Sequence, residues 1–295
     1  MAYADRRLTL QVLFGILILS AAAQARQQAP VPSSLDTRAA REGFLSKANL
    51  VSDEPVDGRP SWRATLDDGS RKHDASVETA DGTDPTRRNY KFNVAAYELD
   101  KALGLNLVPA SVERLVSGRP ASLTWWLDNV AMDELDRRRK RIDPPDGESW
   151  NRQMQAVRVF DELISNTYRD TSPALYLNTV WDNLLITGDW AIWLIDHTGA
   201  FRTRSELSDP ESLTRCPRNV LGRLRDMDRE LLQRILGKYL TSQQLDALEF
   251  RRALLVKHFD AQIASKGEAA VLYDLTPRRS RVSVYIDPAT RYSGG

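Results

Sequence analysis

Near residue 128 the character of this chain changes, and that change limits the fold more than any other feature. Strand-like segments precede it and helical repeats follow it. Ser61 to Leu66 alternates around Trp62, Ala64 and Leu66, and the turn Asp67-Asp68-Gly69 leads into Lys72 to Thr79, which predicts a hairpin. Pro109 to Val116 and Ala121 to Leu127 read as a second pair of strands across Ser117-Gly118-Arg119-Pro120. Between the pairs, Phe92, Ala95, Ala96, Leu99 and Leu103 fall at helical spacing, and Gly104 stands where a C-cap glycine would stop the helix. The order strand, strand, helix, strand, strand predicts a small sheet braced by one helix, a first lobe over residues 44–128.

The second part, residues 129–276, reads as a larger and mostly helical lobe. From Asn151 to Ile164, Met154, Val157, Val159, Phe160, Leu163 and Ile164 give a helix with a wide apolar face. Leucine repeats run from Arg218 to about Ser265, and Thr241-Ser242-Gln243-Gln244 resembles a capping box before Leu245. One β feature interrupts: Asn183 to Thr187 and Trp190 to Ile195 are short apolar runs on either side of Gly188-Asp189, a hairpin signal. The expectation is an α+β protein of two lobes with an exposed tail over 277–295.

The N-terminus carries a different message. Arg6 and Arg7 precede the apolar run Leu8 to Ala23, and Ala23-Gln24-Ala25 supplies the small-x-small pattern of a cleavage site. Residues 1–25 read as a signal peptide, with retention as a membrane anchor the alternative, and residues 26–43 as a flexible leader. The mature chain is then expected outside the cytoplasm, periplasmic or extracellular, with membrane contact only if the signal segment is retained. Lysine and arginine number 41 against 40 aspartates and glutamates, so no global field draws the protein onto nucleic acid. The basic run Arg137 to Arg141 is flanked by Asp133, Glu134, Asp136 and Asp143, which suggests a solvated helix face. Cys216 is the sole cysteine, which excludes an internal disulfide and a cysteine-based zinc site and suggests a buried, inert thiol.

The chemistry-bearing residues gather between Asn166 and Arg202. The hairpin places Asn183 at the start of one strand and Asp196 at the end of the next, so both side chains can converge at one end. Such hard oxygen ligands suit magnesium, which takes one or two protein oxygens and completes its shell with phosphate and water. On spacing alone, Asn183 as a turn cap and Asp196 as the partner of an arginine is the preferred reading over a metal pair. There is no Gly-x-Ser-x-Gly elbow and no phosphate-binding loop of the Gly-x-x-x-x-Gly-Lys-Ser/Thr type. His197 either orients the Asp196 carboxylate or fills a polar pocket beneath the loop, and with only His73 and His258 besides, a histidine-rich metal site is not expected.

As a series, Val159-Phe160-Asp161-Glu162-Leu163-Ile164-Ser165-Asn166-Thr167, then Asp182-Asn183-Leu184-Leu185-Ile186, then Leu194-Ile195-Asp196-His197-Thr198-Gly199-Ala200-Phe201 resembles the C-lobe core of the atypical kinase superfamily. That group contains the HipA toxin kinases, the secreted casein-kinase-like enzymes of the Golgi and the phosphatidylinositol kinases. Upstream, Val94 to Asp100, Leu103-Gly104-Leu105 and Val108-Pro109 resemble its lobe-one helix and following strand, so the likeness spans roughly Thr65 to Phe201. The resemblance implies a two-lobed kinase-like fold, Mg2+ and ATP as cofactors, Asn183 and Asp196 as the metal ligands, and a protein, lipid or small-molecule acceptor. Ser122 to Asp128 matches the hinge, which puts Trp126 and Asp128 at the nucleotide; packing is the competing role for Trp125 and Trp126.

Three positions depart from the family pattern. Tyr168 stands where the catalytic loop has its aspartate, and a tyrosine cannot orient a hydroxyl and accept its proton near neutral pH. Asp170 or Asp182 is left for that role, Asp170 preferred because it stays beside Arg169. Glu78 occupies the place of the nucleotide-gripping lysine, and Asn93 that of its helix glutamate. Lys91 or Lys72 remains to supply a cation, although two residues along a helix turn Lys91 about 200° from Asn93. The readings that follow are a kinase-like phosphotransferase, a pseudokinase that binds a partner or nucleotide without turnover, and a structural α+β protein.

Overall fold

The computed structural model describes residues 35–56, 61–79, 89–166 and 181–275. Residues 1–34 and 276–295, with the expected signal peptide, the first half of the leader and the whole of the tail, lie outside them. Helix α1 (Arg38–Lys47) begins within the stretch read as leader, where Thr37 accepts the Ala40 N–H as its N-cap and Phe44 and Leu45 are buried. Strands β1 (Asn49–Pro55), β2 (Trp62–Asp67) and β3 (Lys72–Thr79) follow, then helix α2 (Lys91–Leu103), then β4 (Ser111–Val116) and β5 (Arg119–Trp125). These five strands form one sheet in the order β1-β2-β3-β5-β4, with every neighbouring pair antiparallel. The period-2 rule sorts its faces: on β3, Ala75 and Val77 are fully buried, which sends Ser76 and Glu78 to the opposite side.

The rest of the chain is mainly helical. Strand β6 (Val130–Asp133) and helix α3 (Glu134–Arg139) lead to the long helix α4 (Gly147–Ile164). The hairpin β7 (Leu184–Thr187) and β8 (Ile192–Leu194) joins β6 in a three-stranded antiparallel sheet. Strand β9 (Cys216–Pro217), helices α5 (Arg218–Asp226), α6 (Arg229–Leu236), α7 (Ser242–Lys266) and α8 (Glu268–Val271), and strand β10 (Leu272–Tyr273) complete it, with β9 and β10 paired in parallel. The capping box before α7 forms as the sequence suggests: Thr241 Oγ1 accepts the Gln244 N–H at 3.3 Å, and Gln244 Oε1 accepts the Thr241 N–H at 2.9 Å. No helix among the described residues is long and apolar enough to cross a membrane.

Helix α2 is the axis of the molecule. It packs on β4 and β5 on one side and on α5 and α6 on the other. Every residue from Phe92 to Tyr97 is therefore buried, not only the stripe that the sequence pattern marks. Gly104 closes the helix in the left-handed region at φ 66°, a conformation that favours glycine. The burial includes Asp100, fully enclosed, whose carboxylate accepts the Leu107 N–H at 2.7 Å and the Arg38 guanidinium at 2.5 Å. Arg38 thus pins α1 to the end of α2.

Two charged features differ from a solvated surface. Arg137 and Arg138, from the basic run, both donate to Glu134, at 2.6 and 2.7 Å, and Glu134 is fully buried. The run is therefore partly a structural ion-pair cluster, because a buried carboxylate demands paired, hydrogen-bonded cations. Arg251, at the centre of α7 and also fully buried, donates to the carbonyls of Leu163 at 2.8 Å, Arg202 at 3.0 Å and Arg204. Burial lowers its guanidinium to about 10. It ties α7 to the end of α4 and to the segment after Phe201. Cys216 is buried as expected, and burial pushes its thiol up to about 12.

Candidate functional site

The face of β3 that carries Ser76 and Glu78 lines a cleft of about 300 Å³, closed from the other side by the β7–β8 hairpin and the residues after it. Register grades this cleft. Ala75 pairs with Trp125, Ser76 with Thr124 and Glu78 with Ser122, so Glu78 lies three residues, ~10 Å, along β3 from the hinge end. The apolar lining includes Trp126 and Leu127, directly after β5, together with Val108 and Leu185. The far end is polar: Glu78 stands opposite Ser122 there, and Ser122, Asn93 and His197 are joined by hydrogen bonds.

Asn93 holds that far end together. Its Nδ2 donates to Ser122 Oγ at 3.2 Å, and its Oδ1 accepts the His197 N–H at 2.8 Å. All three residues are buried, so one side-chain amide joins α2, the sheet and the exit of the hairpin. A polar residue between Phe92 and Val94, inside an otherwise apolar helical stretch, was the sequence signal for this bridge. Its partners, one of them 104 positions away, could not be read from spacing.

Asp196 lines the cleft in the left-handed region, at φ 50°. Its Oδ1 accepts the Thr198 hydroxyl at 2.5 Å and the Thr198 N–H at 3.4 Å, which fixes the rotamer. Phe201 is left-handed as well, at φ 54°, and its N–H bonds the Ile164 carbonyl at 2.6 Å. Uncommon backbone at both ends of one segment beside a cleft is the pattern of a functional loop held in place by its surroundings. The hairpin places Asn183 close by: its carbonyl accepts the Ile195 N–H at 3.0 Å, one residue before Asp196. Asn183 is buried and is not among the residues lining the cleft.

The other expected site residues divide. Trp126 lines the cleft, with the Arg63 guanidinium over its ring at 4.8 Å and Arg63 paired to Asp74. The Trp125 ring serves packing: it stacks on His73 at 3.5 Å and meets Phe44 edge-on. Asp128 stands outside the cleft wall, where its carboxylate contacts His73 Nε2 at 3.1 Å and is held below the ordinary range chiefly by that bond. Lys91 opens α2, its N–H bonded to Asn89 Oδ1 at 3.0 Å; its charge falls on Glu113, and it does not line the cleft. Asp182 is half-buried in the short helical turn Trp181–Asn183. Asp170 and Tyr168 lie outside the described residues.

Whether this site suits Mg2+ and ATP is a question of donor chemistry. Among the described residues no group of three His, Cys, Asp or Glu side chains converges on a metal position. Asp196 alone fits a cation that arrives with most of its ligands, such as one carried on phosphate. Among the described residues lining the cleft, Glu78 and Asp196 are acidic, and neither supplies a positive group for phosphate.

No family model matches this chain, and no curated protein matches it in sequence. Solved structures do match. A hydra Fam20, solved with sugar, is similar with a TM-score of 0.58 at 14% identity, over 83% of this chain and 94% of that one. A Helicobacter pylori proinflammatory kinase, CtkA, gives a TM-score of 0.47 at 8% identity, over 75% of this chain and 98% of that one. The likeness is one of fold: mixed α+β and kinase-like, with a five-stranded antiparallel sheet set before a helical part.

Proposed function

We propose that this chain is an exported pseudokinase: a kinase-fold protein that holds a nucleotide-class ligand in its cleft and does not transfer phosphate. One observation carries the reading. The wall positions that the resemblance matches to the nucleotide-gripping lysine and its helix glutamate hold Glu78 and Asn93, and Asn93 is bonded to Ser122 and His197. Phosphoryl transfer depends on positive groups clamped around the transferring phosphate, and neither Glu78 nor Asn93 supplies one. Tyr168 in the position of the catalytic aspartate supports the same conclusion. Export is proposed from the segment Arg6 to Ala25, and a mature mass beginning at Arg26 would support it.

A phosphotransferase is the second reading, favoured by Asp196 lining the cleft in a fixed, left-handed conformation. Asn183 and Asp196 would then hold the cation, and Asp170 or Asp182 would serve as base toward a protein, lipid or small-molecule acceptor. Incubation with Mg-ATP labelled at the γ-phosphate separates the two. The pseudokinase reading expects incorporation into the chain itself or into added protein acceptors no higher than for Asp196→Ala. Incorporation that Asp196→Ala abolishes would overturn it.

A further inference from the structure

We infer that Trp126 is the platform on which the cleft's ligand lays a flat aromatic ring, and that Arg63 and Asp74 hold the indole ready for it. The inference rests on the nucleotide-class reading of the same site and names the residues that select the ring. Alternation puts them in place: Arg63 and Thr65 on β2 stand opposite Ser76 and Asp74 on β3, so all four share the face whose Ser76 lines the cleft. Asp74 fixes Trp126 in two ways. Its carbonyl accepts the Trp126 N–H at 3.1 Å. Its carboxylate accepts Arg63 Nε at 2.7 Å and Nη2 at 2.5 Å on one oxygen, and the Thr65 hydroxyl at 2.8 Å on the other.

The guanidinium so held lies over the Trp126 ring, 4.8 Å from its centre, in a cation–π contact. Trp126 lines the cleft and Arg63 does not, so the guanidinium braces the indole from outside the cleft. The Arg63 side chain is 41% exposed and that of Asp74 20%, and an ion pair so open to water contributes little to stability. Its effect falls on the ring instead. An indole held in one orientation before binding has less freedom to lose when a ligand arrives. Stacking on an indole strengthens with the area of overlap, so a two-ring purine should bind more tightly than a one-ring pyrimidine on the same sugar.

Titration calorimetry of the purified chain with adenosine and with uridine tests this. The parent should bind adenosine more tightly by at least about threefold. Trp126→Leu keeps apolar bulk without a flat ring; it should weaken adenosine by about tenfold and erase the preference between the two nucleosides. Trp126→Phe, which keeps a smaller ring, should fall between. Arg63→Met keeps the stem without the guanidinium and should weaken adenosine by about two- to tenfold while preserving the preference. Should Trp126→Leu fail to fold, Trp126→Phe and Arg63→Met decide. Equal parent affinities for the two nucleosides, an adenosine affinity unmoved at position 126, or a loss there that weakens both nucleosides alike would overturn the platform and leave the nucleotide-class reading standing. Arg63→Met binding adenosine as the parent does would overturn the brace in the same way. No binding of either nucleoside by the parent would overturn the reading and the inference together.

Discussion

Replacing Asn93 by alanine should destabilise the protein out of proportion to the few atoms removed. The side chain is 4% exposed, and its loss leaves the His197 N–H without its acceptor at 2.8 Å and Ser122 Oγ without its donor at 3.2 Å. A stranded buried donor costs about 1–3 kcal/mol, and the second, longer bond adds about 0.5–1 kcal/mol. Because the site borders an open cleft, water can enter the space left behind, so little is added for a cavity. The sum is about 1.5–4 kcal/mol, which for a chain of this size corresponds to a fall in thermal midpoint of roughly 3–16 °C. Scanning calorimetry measures it, with Ser122→Ala as the comparison, since that variant breaks only the weaker bond. A loss for Asn93→Ala of less than 2 °C, or one no larger than that of Ser122→Ala, would refute the bridge. Asn93→Asp adds a sign test. An aspartate at this buried position would have its folded pKa raised by desolvation, so its penalty is present near neutral pH and relieved as pH falls through that value.

Other perturbations follow from the same contacts. Arg38→Ala leaves the enclosed Asp100 carboxylate short of its cation and should cost about 3 kcal/mol, the low end for a broken buried pair because Arg38 itself is partly exposed; an unchanged urea midpoint would sink the claim that α1 is anchored there. Burial alone would raise the Glu113 carboxyl, but the Lys238 ammonium at 2.9 Å and the Tyr90 hydroxyl at 3.0 Å hold it below 4.5. Its contribution is therefore present above the unfolded value and is lost as pH falls through the folded one. Lys238→Met should flatten the stability loss below about pH 4.5, and identical acid limbs would count against the pairing. Cys216, with its thiol pushed up to about 12, should be inert to a disulfide reagent at pH 8 in the folded protein and fully reactive in denaturant.

What could be read from the residues followed a physical rule. β3 and the end of α2 were legible because alternation and a stopping glycine act locally, and the observed bounds Lys72–Thr79 and Leu103 agree with them. β1 was not legible: six of its seven residues are exposed, and it lies at the sheet edge, held by backbone pairing to β2 rather than by an apolar stripe. α1 was missed for a related reason, since it buries only Phe44 and Leu45 and is fixed by the long-range Arg38–Asp100 contact. The Arg137–Arg138 pair was misread because the burial of Glu134 is a tertiary property. At the site, Asp196 and its hairpin were visible as turn chemistry. The tie from Asn93 to His197 was not, because it joins a helix to a strand exit through the folded core.

A crystal structure of the protein grown with adenosine tests the central claim most directly. The account predicts adenosine within the cleft, its base against the apolar lining that includes Trp126, Leu127, Val108 and Leu185. Adenosine bound elsewhere, or a cleft that excludes it at concentrations that saturate binding in solution, would contradict the account.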